Sequence, residues 1–384
     1  MLTRSGWGAA IVAVVAFVTG RTFGIIELYV LGAGLIAVLV FAVVMMLRRP
    51  PRLGIRRVVQ PAVVRAGEPA RVDLQIANLG MSRTPVIQLW EPVGSSGGAT
   101  MNLSPLRRRE TASAAYRLPT DRRGLVTVGP MRARRRDVLG LCAKSFTISG
   151  SVELLIIPSH TPVGFPAGGS SGRLGEHLRL RAYGQSGSEF HSLREYMIGD
   201  DLRRISWKAS ARASELIVKE TALEGLRRCT VVFDVDTSQY DEMGFERAVS
   251  AAASIVTGAA ATGLQTRMIA TDTDLRGHDV AQSALRWLAT VEPVGQATPS
   301  LPTLRSGEGM GVVAVVTGSA SSPCASLVRG TLSPDDTLIV VATGAAGASR
   351  DRFVVDASSY DSFSPSWSHL TGAIATRRPV SVPA

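Results

Sequence analysis

Residues 187–212 read GSEFHSLREYMIGDDLRRISWKASAR, a run where charge and aromatic rings meet at a density that neither a hydrophobic core nor a loop requires. Arg194, Glu195, Asp200, Asp201, Arg203, Arg204, Lys208 and Arg212 surround Phe190, Tyr196 and Trp207. Two chemistries fit. Arg194, Arg203 and Arg212 could ligate an anionic or phosphorylated envelope precursor with Asp200 as acid or base, or the same groups could form a docking or domain-coupling surface. No nucleophile stands beside a base, which favours holding over turnover and a protein that is not an enzyme. A second cluster, Asp234-Val235-Asp236-Thr237-Ser238, offers carboxylate and hydroxyl oxygens of the kind that suit a magnesium ion keeping several waters. Asp234 and Asp236 could equally cap a turn or the following helix.

The elements that must position these groups follow from local pattern. Gly199-Asp200-Asp201 permits a tight turn and a helix start near Leu202. On that helix Leu202 and Ile205 would share a face, with Arg203, Arg204 and Lys208 elsewhere and Trp207 packed inward or stacked on an arginine. A capped, salt-bridged helix stitching two domains accounts for the same residues. Downstream, the apolar run 230–233 predicts a strand ending in Asp234. Phe245, Ala248, Val249, Ala252, Ile255 and Val256 then mark one face of a helix stopping at Gly263. Further strands are expected at 266–270, 312–316, 338–341 and 353–355, with a helix over 281–288. This alternation implies a largely parallel sheet covered by helices on both faces, whose ligands bind at the carboxyl ends of the strands.

Upstream, residues 53–158 read as short strands. Val72, Leu74 and Ile76 alternate with polar residues, and Gly67, Gly80, Gly124 and Gly129 punctuate the segment, predicting an antiparallel β-sandwich of immunoglobulin-like type. Residues 159–186, rich in Gly, Pro and Ser, read as a linker, and 187–384 as the motif plus the α/β domain. Two G-x-S-x-G matches, at 94–98 and 168–172, lack the strand and helix of a hydrolase elbow. None of Lys144, Lys208 and Lys219 follows a glycine, which excludes a P-loop. Cys142, Cys229 and Cys324 are too scattered for a disulfide framework or a zinc site.

Residues 1–52 read as a transmembrane hairpin. Residues 23–47 are apolar apart from Glu27 and suffice for one crossing. Residues 5–20 between Arg4 and Arg21 are a little short and read either as a span with snorkelling arginines or as a signal-peptide h-region, of which the lack of an A-x-A-like site favours a second span. Gly32-Ala33-Gly34 permits close helix approach. Arg48, Arg49, Arg52, Arg56 and Arg57 place that end, and hence the soluble domains, in the cytoplasm by the positive-inside rule. The formal net charge is +11, and ten arginines fall within 107–136 against Glu110 and Asp121 alone. Beside a membrane such a face is explained by anionic headgroups, or by solvation, more simply than by nucleic acid, for which no motif with interleaved aromatics exists.

Phe190, Arg194, Tyr196, Gly199, Asp200, Arg203, Ile205, Trp207, Ala211 and Arg212, spaced F-x-x-x-R-x-Y-x-x-G-D-x-x-R-x-I-x-W followed by A-R, closely resemble the signature of the domain of unknown function 58 family. Arg122-Arg123-Gly124, Gly129-Pro130, and Asp137 with Gly140-Leu141 agree with it. Asp234, Asp236 and Ser238 look like a variant of the D-x-S-x-S metal motif of von Willebrand factor A domains, with Asp236 in place of the first serine. A later strand would usually supply another Asp where this chain has Thr317-Gly318-Ser319; Asp272 or Asp274 could substitute. The resemblance implies a transmembrane hairpin, a β-sandwich and a von Willebrand factor A-like α/β domain. It also implies a membrane-anchored interaction or assembly factor working with a MoxR-type AAA+ ATPase, and sometimes with transglutaminase-like membrane proteins.

Overall fold

The computed structural model describes residues 2–48, 50–95, 97–166, 172–184, 190–196, 205–213, 215–221, 228–295, 310–333, 336–344 and 352–372. The chain divides into two compact units, Met1–Ile157 and Pro158–Ala384.

The first unit opens with two antiparallel helices, α1 (Arg4–Phe23) and α2 (Ile26–Leu47), both long and apolar enough to cross a membrane. Thr3 caps α1 by accepting from the Gly6 amide at 3.1 Å, and Gly24 ends it at φ 71°. The helices touch at glycine. A side chain on Gly20 would collide with the Tyr29 backbone and one on Gly32 with the Phe17 backbone, whereas Gly34 faces open space. Of the Gly32-Ala33-Gly34 triplet, then, only the first glycine serves the close approach that small residues allow.

Ten strands follow: β1 (Leu53–Gln60), β2 (Val63–Arg65), β3 (Ala70–Asn78), β4 (Ile87–Pro92), β5 (Gly98–Leu103), β6 (Thr111–Leu118), β7 (Gly124–Val128), β8 (Met131–Arg136), β9 (Ala143–Ser149) and β10 (Val152–Ile157). They form sheets β1-β3-β6, β5-β4-β8-β9 and β2-β10-β7. The pairings are antiparallel except β2 with β10, which run parallel, a departure from the all-antiparallel expectation. Strict alternation on β3 sends Val72, Leu74 and Ile76 into one core with Ile87, Leu89, Met131, Ala133, Leu154 and Ile156. Inside it Arg57 pairs with Glu91, and the Tyr116 hydroxyl donates to Glu91 Oε2 at 2.6 Å, linking β1, β4 and β6.

The hairpin is clasped to these strands by the β8–β9 turn. The Thr3 amide donates to Leu141 O at 2.8 Å and its hydroxyl to Gly140 O at 2.6 Å. Cys142 packs against Ala42 and Met46, and Arg135 donates to Met45 O at 2.5 Å.

The second unit contains α3 (Arg173–Gly184), β11 (Phe190–Glu195), α4 (Trp207–Ala213), β12 (Ile217–Thr221), β13 (Arg228–Phe233), α5 (Gly244–Ala261), β14 (Gln265–Ala270), β15 (Thr273–Leu275), α6 (Val280–Thr290), β16 (Val312–Thr317), α7 (Pro323–Thr331), β17 (Thr337–Ala342), β18 (Val354–Asp356) and α8 (Tyr360–Thr371). Six strands form a sheet in the order β15-β14-β13-β16-β17-β18, parallel throughout except at the β15 edge. Residues of α3, α5, α6 and α8 pack on one face, and α7 on the other. The segment 159–186 is more than the expected linker. Val163 and Phe165 enter the core, and α3 adds Leu174 and Leu178, an i,i+4 pair obscured in the sequence by the Gly- and Ser-rich run before it. Trp367 is fully buried and donates to Gly164 O at 2.8 Å.

Candidate functional site

The charged motif builds a small module. β11 and β12 pair antiparallel, from Phe190 against Thr221 to Glu195 against Ile217. The Tyr196 amide donates to Leu216 O at 2.8 Å and the Ser206 amide to Ile217 O at 2.7 Å, laying the segment before α4 along β12. Ser210 Oγ accepts from the Ile217 amide at 2.8 Å, tying the seven-residue α4 to the same strand. Phe190 and Arg194 therefore occupy a ribbon, and Trp207 and Arg212 the short helix. Gly199, Asp200 and Arg203 lie outside the described residues, as does Leu202, where a helix start was expected. The described helix begins at Trp207 instead. Ile205 is buried, while Trp207 is 68% exposed, so the inward-packed indole is corrected to a surface one. A single apolar anchor at 205 is enough to seat this turn, which leaves the larger ring outside.

The second cluster sits at the carboxyl ends of β13 and β16. From β13 the chain crosses by α5 to β14 on one side, whereas β16, the other neighbour of β13, leads by α7 to β17. Because α5 and α7 cover opposite faces, the crevice lies between the ends of β13 and β16, where ligands of open α/β sheets bind. Asp234 follows β13 directly and is 2% exposed. Its Oδ1 accepts from the Asp236 amide at 3.1 Å and its Oδ2 from the Thr317 hydroxyl at 2.9 Å. Burial pushes the Asp234 carboxyl above its ordinary range, with hydrogen bonds from Asp236 and Thr317 pulling against it.

Asp236 caps a 3-10 turn over Thr237–Gln239 by accepting from the Ser238 amide at 3.0 Å, and the Ser238 hydroxyl accepts from Gln239 Nε2 at 3.0 Å. That turn lies directly over Gly318, where a side chain would collide with the Gln239 carbonyl. The Tyr240 hydroxyl donates to Asp234 O at 2.5 Å. Thr343, just past β17, donates its amide to Thr317 O at 3.1 Å, while its buried hydroxyl has no partner among the described residues.

Sequence reasoning located Asp234, Asp236 and Ser238 by the strand that precedes them. It missed Thr317 as a partner of Asp234 and missed Thr343 altogether, because strand order, not sequence spacing, brings them alongside. Asp272 and Asp274 belong to the β14–β15 hairpin at the sheet edge, where Asp274 is held by Arg267 at 2.8 Å and Arg276 at 2.8 Å. Among the described residues no group of three or more His, Cys, Asp or Glu side chains converges. The oxygen donors of Asp234, Asp236, Ser238 and Thr317 nonetheless match magnesium in type. A cavity of about 520 Å³ opens at the opposite, amino end of the sheet, between Arg228, Arg267 and His278, and takes no part in this cluster.

No curated protein matches the chain. Among solved structures, a CARDB domain from Pyrococcus furiosus in complex with di-metal ions is 13% identical at a TM-score of 0.22, covering 29% of this chain and 90% of its own. The putative ApaA protein from Bordetella pertussis is 16% identical at 0.19, covering 28% and 96%. Scores this low assign neither fold nor function. Residues 192–318, from β11 to just beyond β16, match the family described as Protein of unknown function DUF58.

Proposed function

We propose that the chain is a membrane-anchored interaction or assembly factor whose second unit is a von Willebrand factor A-like domain that docks a cytoplasmic partner of the MoxR-type AAA+ ATPase class. The observation that carries this reading is the acid and hydroxyl cluster of Asp234, Asp236, Ser238 and Thr317 at the switch point of the sheet. Two features support it further. The sheet places its first strand centrally and ends in an antiparallel edge strand, and the cluster pairs no nucleophile with a base. The class of partner follows from the family resemblance, and the cytoplasmic side from the arginines that close the hairpin.

Asp234, Asp236 and Ser238 would hold a magnesium ion, with Thr317 steadying Asp234, and such an ion would offset the cost of burying the carboxylate. The motif module supplies the contact surface through the exposed Trp207 and Arg212. Pull-down of the detergent-solubilised full chain tests the reading. Trp207→Ala is expected to keep the fold, because the indole is already in solvent, and to lose the ATPase; retention of the ATPase by Trp207→Ala and Arg203→Ala would remove the motif from docking. Calorimetry with magnesium is expected to give heat that Asp234→Asn abolishes, and a parent chain without heat would end the metal assignment.

A further inference from the structure

The strands of the first unit have two poles, and the end of α2 marks one of them. β1 begins a few residues after α2, and its first residue, Leu53, pairs with Asn78 at the end of β3. The Leu79 amide donates to Arg52 O at 2.9 Å. The buried Asn78 side chain donates to Ser82 O at 2.8 Å and to Arg107 O at 3.1 Å, which gathers the β3–β4 and β5–β6 loops at the same place. Ile87, the first residue of β4, lies opposite both Leu103 and Arg135, which adds the β8–β9 turn. Three loops therefore meet at the pole where the hairpin ends.

Their exposed side chains are of two kinds. Leu79, Met81, Val86, Val138 and Leu139 are apolar; Met81 is 77% exposed and Val138 102%. Arg83, Arg107, Arg108, Arg109, Arg134 and Arg136 are exposed around them. Arg109 even adopts φ 60°, a left-handed backbone that glycine or asparagine would take more readily, in the turn that presents three successive arginines. Apolar tips ringed by arginine are costly to leave in water, and they match a surface with phosphate outside and acyl chains beneath.

The clasp sets the height of these tips. Cys142 packs on Ala42, five residues before the end of α2, which is about 7 Å along the helix at its rise per residue. Leu141 O lies against Gly6 on the first turns of α1, beside the exposed Trp7, an aromatic of the kind that marks the headgroup level. The β8–β9 turn thus overlaps the last turns of a hairpin whose 22-residue helix is about as long as a hydrocarbon core is thick.

We propose that this pole is a lipid-docking surface. Val138 and Leu139 enter the acyl boundary of the leaflet that holds both hairpin ends, Leu79 and Met81 lie on it, and the arginines bind anionic headgroups. The assignment rests on the hairpin spanning the membrane, and the test separates the two.

Single Val138→Cys, Met81→Cys, Val15→Cys and Asp121→Cys variants of the full chain are labelled with an environment-sensitive fluorophore. They are then reconstituted in phosphatidylcholine vesicles, with or without phosphatidylglycerol, that carry an acyl-chain nitroxide quencher. Val15 lies mid-way along α1, and Asp121 lies at the far pole, where Gly67 donates to Thr120 O, a nine-residue strand or about 30 Å away. The native thiols of Cys142, Cys229 and Cys324 are buried and leave the introduced one to react. Val138 has no side-chain contacts to lose, so its variant folds. Labels at Val138 and Val15 are expected to be quenched several-fold more than at Asp121, and the Met81 label more with phosphatidylglycerol than without. Quenching at Val15 but not Val138 would overturn the docking surface alone. An unquenched Val15 would overturn the spanning hairpin and the docking surface with it, and a Met81 signal indifferent to lipid charge would overturn the role of the arginines.

Discussion

Asp234 is held as a buried acid whose own surroundings disfavour its charge. Its proton affinity is raised in the fold, so as pH climbs from the ordinary carboxylate range towards the raised value the unfolded chain releases its proton first. Stability falls across that window, and the cost is fully present above it. Asp234→Asn is therefore expected to raise the thermal midpoint of the full chain in detergent at neutral pH, flatten that limb of the pH profile and remove magnesium heat. A midpoint lowered at every pH would instead show that Thr317 and the Asp236 amide need the anion. A buried acid kept at a cost to stability is the usual mark of a functional position. The position of Asp234 was legible because an apolar strand runs straight into it. Thr317 and Thr343 were not, since they lie at the ends of β16 and β17, and only strand order brings Thr317 to Asp234 and Thr343 to Thr317.

Two elements carry predictions of their own. In the hairpin, Gly32→Leu should force α1 and α2 apart and lower stability by about 1–3 kcal/mol, the usual cost of overpacking, whereas Gly34→Leu should leave the detergent melting midpoint unchanged. Equal effects would mean that the helices do not pack through Gly32. At the sheet edge, burial pushes the Asp274 carboxyl up, but hydrogen bonds from Arg267 and Arg276 outweigh it and hold the value at about 2. The unfolded chain protonates first as pH falls, so this contribution is complete above the ordinary carboxylate range and is lost between about 4 and 2. Acid unfolding monitored in the parent and in Arg267→Met should show a weaker dependence on that window in the variant, with Arg276 retaining part of it. Elements with strong periodicity, such as β3, α5 and β16, were readable from sequence within a residue or two. The edge strand β15, α3 and α8 were not: β15 has three residues, α3 follows a Gly- and Ser-rich run, and α8 carries Pro365, four serines and a threonine that mask its buried Phe363, Trp367 and Leu370.

Across the whole molecule, the division into a hairpin-plus-β unit and an α/β unit was readable in outline from composition, because a near-unbroken apolar run, alternating short strands and strand–helix alternation obey different periods. The clasp between hairpin and strands was not, since Thr3 and Leu141 are joined by tertiary contact alone. The three cysteines give that organisation a time axis. A buried thiol is alkylated only while its surroundings are open, so its modification rate measures local opening. Cys142 lies in the seam between α2 and the β8–β9 turn, whereas Cys229 and Cys324 lie inside the α/β unit on β13 and α7. Mass-resolved alkylation of one sample is expected to tag Cys142 at a rate distinct from the other two, and a common rate for all three would mean that the molecule opens as one cooperative body. Distinct rates would give the chain, in three buried residues that carry no charge, separate clocks for the letting-go of its hairpin and the unfolding of its interior.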